Sequence, residues 1–183
     1  MTLRLPLTFV ALLGATIVAA AATQREPSIS VLKSGGAFVV AAHFNVSAPP
    51  SVVRDVLTDY ANIPRFMPSV RTSRVVDRQK AIVRVEQEAV STYMFFSKRV
   101  HLLLDVEEGT DTIQFRDVCS SSFERYEGTW TITDNGDDTE LSYKLTAQPA
   151  FSVPTFVLRK LLDRDARAMI EGLRAEISAR ETR

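Results

Sequence analysis

The feature that most constrains this chain is a change of hydrophobic period late in the sequence. From Thr72 to Gln148 apolar residues recur at every second position, and beyond Pro149 and Pro154 they recur at every third or fourth. Val83 and Val85 alternate with Arg84 and Glu86, and Val100, Leu102, Leu104 and Val106 with His101 and Asp105. Ile113 with Phe115, Trp130 with Ile132, and Leu141, Tyr143 and Leu145 continue the pattern. A period of two puts all of these side chains on one face of a sheet, because successive residues of a strand point to opposite sides. Glu108-Gly109-Thr110-Asp111 and Asp134-Asn135-Gly136-Asp137 supply hairpin turns, the second through an Asn-Gly pair that tolerates positive φ. The expected product is an antiparallel meander. In the last stretch Leu158, Leu161, Leu162, Met169, Leu173 and Ile177 form one helical stripe, with Arg159, Lys160, Asp163, Arg164, Arg167, Glu171 and Arg174 opposite. That stripe must be covered, and the large apolar surface available to cover it is the hollow side of the sheet.

The segments before the meander complete the layout. Ala37 to Val46 is rich in β-branched and aromatic residues and reads as a strand, stopped by Ser47-Ala48-Pro49-Pro50. The prolines suit the first turn of a short helix carrying Val53, Val56 and Leu57 on one face, with Ser47 near its cap. A second helical turn is expected over residues 62–67, closed by Pro68. The fold class is therefore α+β: a curved antiparallel sheet of about seven strands wrapped around a long C-terminal helix, with two short helices after the first strand. At 183 residues the chain suits one domain, assigned to residues 37–180. Residues 23–36, ending in Ser34-Gly35-Gly36, read as a flexible leader or short hairpin arm. Residues 1–22 carry Arg4 and an unbroken apolar stretch from Leu7 to Ala22, the pattern of a secretory signal peptide, with cleavage expected after Ala22. An uncleaved membrane anchor is the alternative, and a bacterial periplasm is the expected location.

Three segments carry a family resemblance. Val56-Leu57-Thr58-Asp59-Tyr60-Ala61-Asn62-Ile63-Pro64-Arg65-Phe66-Met67-Pro68, then Tyr126-Glu127-Gly128-Thr129-Trp130-Thr131-Ile132, then Phe151-Ser152-Val153-Pro154-Thr155-Phe156-Val157-Leu158 occur in order along the chain. Together they resemble the polyketide cyclase and coenzyme Q-binding branch of the START-like (SRPBCC, helix-grip) superfamily. That resemblance implies a cavity between sheet and C-terminal helix holding a hydrophobic small molecule: a quinone, an isoprenoid or another lipid, with no cofactor. A transient membrane contact would accompany such a ligand. The residues expected to line the cavity are Val83, Val85, Leu102, Leu104, Phe115, Trp130 and Tyr143 from the sheet and Leu158, Leu162 and Met169 from the helix, each equally a candidate for plain core. Phe66 and Phe156, with Met67 and Phe151, are placed at the rim, as a gate or as staples that hold loops to the core.

The same reading narrows the chemistry. Lysine plus arginine, 22, equals aspartate plus glutamate, 22, so no net field draws in nucleic acid. No nucleophile elbow, zinc-helix motif or phosphate-binding glycine loop is present, and no metal site is expected. Cys119 closes a strand-like run from Ile113 and reads as a small buried hydrophobe. His43 and His101 fall on separate strands and read as edge or surface residues. Asp59 and Tyr60 either close the first helix or face the cavity. Two alternatives to a carrier stay open. An aromatase or cyclase would need an ionisable group in the pocket, for which Asp59, Arg84, Arg116 and Asp117 are the candidates. An interaction module would have its hollow filled by its own side chains.

Overall fold

The computed structural model describes residues 26–93, 96–136 and 138–182; the signal-peptide segment, with its expected cleavage after Ala22, lies outside them. Eight strands form one antiparallel sheet: β1 (Ser28–Ser34), β2 (Ala37–Val46), β3 (Val70–Gln79), β4 (Ile82–Tyr93), β5 (Phe96–Glu108), β6 (Thr112–Asp117), β7 (Phe123–Asp134) and β8 (Thr139–Pro149). Their order across the sheet is β1-β2-β8-β7-β6-β5-β4-β3. The chain thus runs down a meander from β3 to β8 and closes it by pairing β8 with β2, residue Leu145 facing Val40 and Leu141 facing Phe44. Between β2 and β3 stand α1 (Pro50–Leu57), a single 3-10 turn at Tyr60–Asn62, and α2 (Ile63–Phe66). The last element is α3 (Thr155–Glu181).

The strand beyond the expected seven is β1. Residues 28–34 pair with β2 in full register, Val31 opposite Val40, and Val31 is buried. Ile29 and Val31 alternate with Ser28 and Ser30, but two inward residues followed by exposed Leu32 make too short a pattern to set a strand apart from a leader. The helix entry also differs from expectation in one detail: Pro49 is the N-cap of α1, and Ser47 Oγ instead donates to Asp138 Oδ1 at 2.8 Å, fastening the β7–β8 turn. Proline at the start of α1 is tolerated because the first amides of a helix have no internal acceptor.

Alternation decides which face is apolar. Along β2 the residues Phe38, Val40, Ala42, Phe44 and Val46 are all buried, and along β8 so are Leu141, Tyr143, Leu145 and Ala147. These rows line the hollow face, where α3 lies across them. From the other side of α3, the side chains of α1 join the same core through Val53 and Val56, neither measurably exposed. Contact between α2 and α3 is closest at Gly172: a Cβ built there would stand 1.7 Å from the Phe66 carbonyl oxygen. A glycine inside a helix costs about 1 kcal/mol relative to alanine. Here it lets the carbonyl end of α2 seat against the helix backbone, which no other residue permits.

Candidate functional site

The hollow is not filled along its whole length. Where the first half of α3 passes over β4 to β7, a cavity of about 230 Å³ remains, far beyond the roughly 15 Å³ a single water requires. Its walls come from every part of the fold: Val85, Gln87 and Ala89 of β4, Val100 to Val106 of β5, Phe115 of β6, Trp130 of β7, and Leu158, Leu161, Leu162, Ala166 and Met169 of α3. Tyr60, Ile63, Phe66 and Met67 close one side from the segment after α1.

Of the twelve residues expected on this lining, ten stand there: Phe66, Val85, Leu102, Leu104, Phe115, Trp130, Tyr143, Leu158, Leu162 and Met169. Val83 shares the inward face of β4 but sits one pleat beyond the cavity, buried opposite Val106. Phe156 does not point inward at all and is 66% exposed. The helical period explains this, since Phe156 lies above Lys160, Asp163 and Arg167 on the outer side of α3. Met67 and Phe151 line the cavity.

An aromatic row forms the floor. Trp130 and Tyr143 lie 4.4 Å apart between centroids, Tyr143 stacks with Phe115 at 6.4 Å, Phe115 meets Tyr126 at 6.0 Å, and Tyr126 meets Phe123 at 4.8 Å. Phe123 continues to Phe151 at 6.4 Å, and Lys98 Nζ stands 4.6 Å above the Phe151 ring at the mouth. These pairs are tilted or stacked with wide centroid separations, so no two rings lie in the direct face-to-face sandwich that aromatic quadrupoles disfavour. Gly128 makes the row possible. It pairs with Phe115 across β6 and β7, and a Cβ there would fall 2.5 Å from the Phe115 ring and 2.5 Å from the Lys144 carbonyl oxygen.

Polar groups at the cavity are few, and none of the four charged candidates is among them. Asp59 is turned away: Asn62 Nδ2 donates to it at 2.9 Å and Arg180 Nη2 at 2.6 Å. Burial pushes its carboxyl upward, but the bonds from Asn62 and Arg180 together hold it below the usual aspartate value. Arg84 and Asp105 make a two-pronged bond across β4 and β5 on the outer face, at 2.7 and 3.0 Å. Arg116 belongs to the same outer face. Asp117 accepts from the Leu103, Cys119 and Ser120 amides, tying off the turn after β6. None of these four lines the cavity. The ionisable groups that do are Tyr60, Lys98, Tyr126, Tyr143 and Asp165. Extending each period would have found three of them: Lys98 precedes Val100 and Leu102 by steps of two, Tyr126 precedes Trp130 by four, and Asp165 follows Leu161 by four within the stripe.

The three tyrosines differ in what their hydroxyls do. Tyr60 donates to Glu108 Oε1 at 2.8 Å, and burial with that carboxylate beside it raises its pKa. Tyr126 and Tyr143 make no hydrogen bond to any described residue, and each hydroxyl touches open space. Burial, with smaller contributions from Asp165 and Asp117, pushes Tyr126 up to about 12; burial likewise drives Tyr143 well above the ordinary phenol value. Both are therefore neutral donors over any physiological pH.

Elsewhere, Cys119 lies beyond the end of β6 in a half-buried turn, not in a strand core, because Asp117 ends the pairing by accepting from the Cys119 and Ser120 amides. His101 Nε2 lies 3.1 Å from Glu86 Oε1, and its Nδ1 lies 3.8 Å from Cys119 Sγ; His43 Nδ1 contacts Ser142 Oγ at 2.9 Å. Among the described residues, no three of histidine, cysteine, aspartate and glutamate gather as a metal site.

The sequence pattern of the family described as "Polyketide cyclase / dehydrase and lipid transport" matches residues 46–174, well over half of the chain. No curated protein matches. Among solved structures, a protein from Thermus thermophilus is similar with 26% identity and a TM-score of 0.66, over 77% of this chain and 97% of its own. The aromatase/cyclase Zhui from a Streptomyces species aligns at 13% identity and TM-score 0.69, over 79% of this chain and 95% of its own. A STAR-related lipid transfer protein from Xanthomonas axonopodis aligns at 17% and 0.62, over 82% and 98%. The sheet, the gripped helix and the match to residues 46–174 agree: this chain belongs to the polyketide cyclase/dehydrase and lipid transport family, within the START-like superfamily.

Proposed function

We propose that this START-like ligand-binding domain is an exported carrier that shields a hydrophobic small molecule in the cavity beneath the first half of α3. The observation that supports this most is the cavity itself, a space of about 230 Å³ walled by aliphatic and aromatic side chains. An interior plugged by the protein's own atoms would leave no such space. Binding follows from the hydrophobic effect: a guest losing about 200 Å² of apolar surface to these walls gains roughly 5 kcal/mol. That gain is comparable with the roughly 4–15 kcal/mol lost in immobilising a ligand. A rigid, preformed pocket and a few polar contacts must therefore supply the remainder.

The lipid-transfer reading draws on the family and on the Xanthomonas relative's name, and the export reading on the sequence of residues 1–22. A quinone or isoprenoid-like guest remains the favoured class, because flat or unsaturated molecules match an aromatic floor. Extraction of the purified protein with organic solvent, followed by mass spectrometry, tests the carrier reading. Co-purifying apolar molecules, or uptake of quinones or fatty acids from solution, are expected. A ligand-free extract together with no uptake overturns the reading. Expression of the full chain in a bacterium, with fractionation and intact-mass measurement, tests export: a mature species starting at Thr23 in the periplasm is expected.

A further inference from the structure

We infer that Tyr126 and Tyr143 are the polar contact of this cavity, and that they select an apolar guest carrying an uncharged oxygen acceptor, a ketone, quinone or ether oxygen. This rests on the carrier reading above and sharpens it.

The two residues stand on neighbouring strands, Tyr126 opposite Ala147 and Tyr143 opposite Trp130, and Phe115 lies between their rings. Each could have been phenylalanine on packing grounds alone, as Phe115, Phe123 and Phe151 are in the same row. A phenol removed from water without a partner is destabilising. Tyr60 meets that need through Glu108, whereas half-buried Tyr126 and Tyr143, 7% exposed, make no hydrogen bond to any described residue and keep their hydroxyls accessible. Both residues line the cavity and neither hydroxyl is sealed off, so a guest atom can supply the partner that the described residues do not. They remain protonated and so each has an O–H to donate, which an acceptor oxygen on the guest would satisfy.

The charges around the cavity settle its sign. Asp165 lines the wall on α3, pairs with Arg164 at 2.6 Å and acts electrostatically on Tyr126, as does Asp117. A guest carboxylate at the phenols would meet these negative charges. Lys98, the cation on the lining, stands at the far end of the row over Phe151. An uncharged oxygen is thus suited to the phenols, and a carboxylate would be drawn away from them toward the mouth.

Trp130 is the only tryptophan and lies 4.4 Å from the Tyr143 ring, so its fluorescence reports occupancy at the phenols. Three probes of equal chain length would be titrated into the purified protein: a methyl ketone, the alkane and the fatty acid. The wild type is expected to bind the ketone most tightly. Tyr126→Phe and Tyr143→Phe each weaken ketone binding about five-fold, and the double variant about twenty-five-fold, with alkane affinity unchanged or improved. Thermal melting checks that the variants keep the fold, which ring-preserving changes favour. Ketone affinity untouched in the folded double variant, or a fatty-acid preference that the substitutions do not alter, overturns the tyrosine contact alone. Failure of all three probes to bind overturns the carrier reading and this inference together.

Discussion

The two halves of α3 carry apolar stripes of the same period and meet different surroundings. In the second half Ile170, Leu173 and Ile177 are at most 1% exposed and none borders open space. They belong to the main core, where α3 packs against β2 of the sheet and against α1 and α2, with Gly172 letting the Phe66 carbonyl approach the helix backbone. In the first half Leu158, Leu161, Leu162, Ala166 and Met169 face β4 to β7, and the cavity stands between. The same side-chain chemistry therefore yields a solid core at one end of a helix and a container at the other. What differs is how closely the helix is backed: Gly172 lets α2 seat directly on the packed half, whereas Leu57 of α1 and Ile63 and Phe66 of α2 close one side of the cavity without filling it. Stability and ligand capacity are consequently housed in separate parts of one element, so one can change while the other is held.

Paired truncations give the sharpest test. Leu173→Ala, in the packed half, is expected to lower unfolding stability by about 2–5 kcal/mol, because the void cannot collapse. Leu162→Ala, on the cavity wall and half-buried, is expected to lose about 1 kcal/mol while altering the size of guest accepted. Urea unfolding of both variants measures the contrast, and equal losses would break it. Gly172→Ala comes next, at about 1–3 kcal/mol destabilising, since the methyl group must displace the Phe66 carbonyl and this overpacking exceeds alanine's gain of about 1 kcal/mol in helix propensity. A stabilised Gly172→Ala would mean the helices do not touch there.

The smallest effect expected is that of acid. Arg180 bonds Asp59 at 2.6 Å and Glu176 at 2.8 Å, tying the C-terminal end of α3 to the segment after α1. Asp59 has a folded-state pKa below the ordinary 3.8. Its ion pair therefore adds stability above that value and loses it as the pH falls through the folded-state pKa. Both partners are partly exposed, so the contribution is about 1 kcal/mol or less. Asp59→Asn is expected to remove that fraction of the loss between neutral pH and pH 3 in thermal melts. An unchanged pH profile would show that the packed end does not depend on this tie.

Much of this arrangement was legible before any coordinates. Alternation along β4, β5, β7 and β8 named the inward face, and ten of the twelve expected lining residues border the cavity. Phe156 was misplaced by attending to its type and not its angle, since Lys160 and Arg167 mark that side of α3 as outward. Val83 was on the right face and at the wrong depth, a distinction that alternation cannot carry. Tyr126, Lys98 and Asp165 were within reach of the same periods and were passed over for charged residues near turns. The extra strand β1 carried only a two-residue alternation, Ile29 and Val31, too short to mark it as a strand.

By itself, then, the order of residues determined which side chains face inward, where the strands end and that a long helix must lie in the hollow, because periodicity is a local property of the backbone. Only the tertiary structure decided that the hollow stays open at one end, that Gly128 clears space for the Phe115 ring, and that two of three cavity phenols make no hydrogen bond to any described residue. Those facts depend on distances between strands and helices far apart in sequence, and on how much volume their side chains leave between them, which no repeat along the chain records.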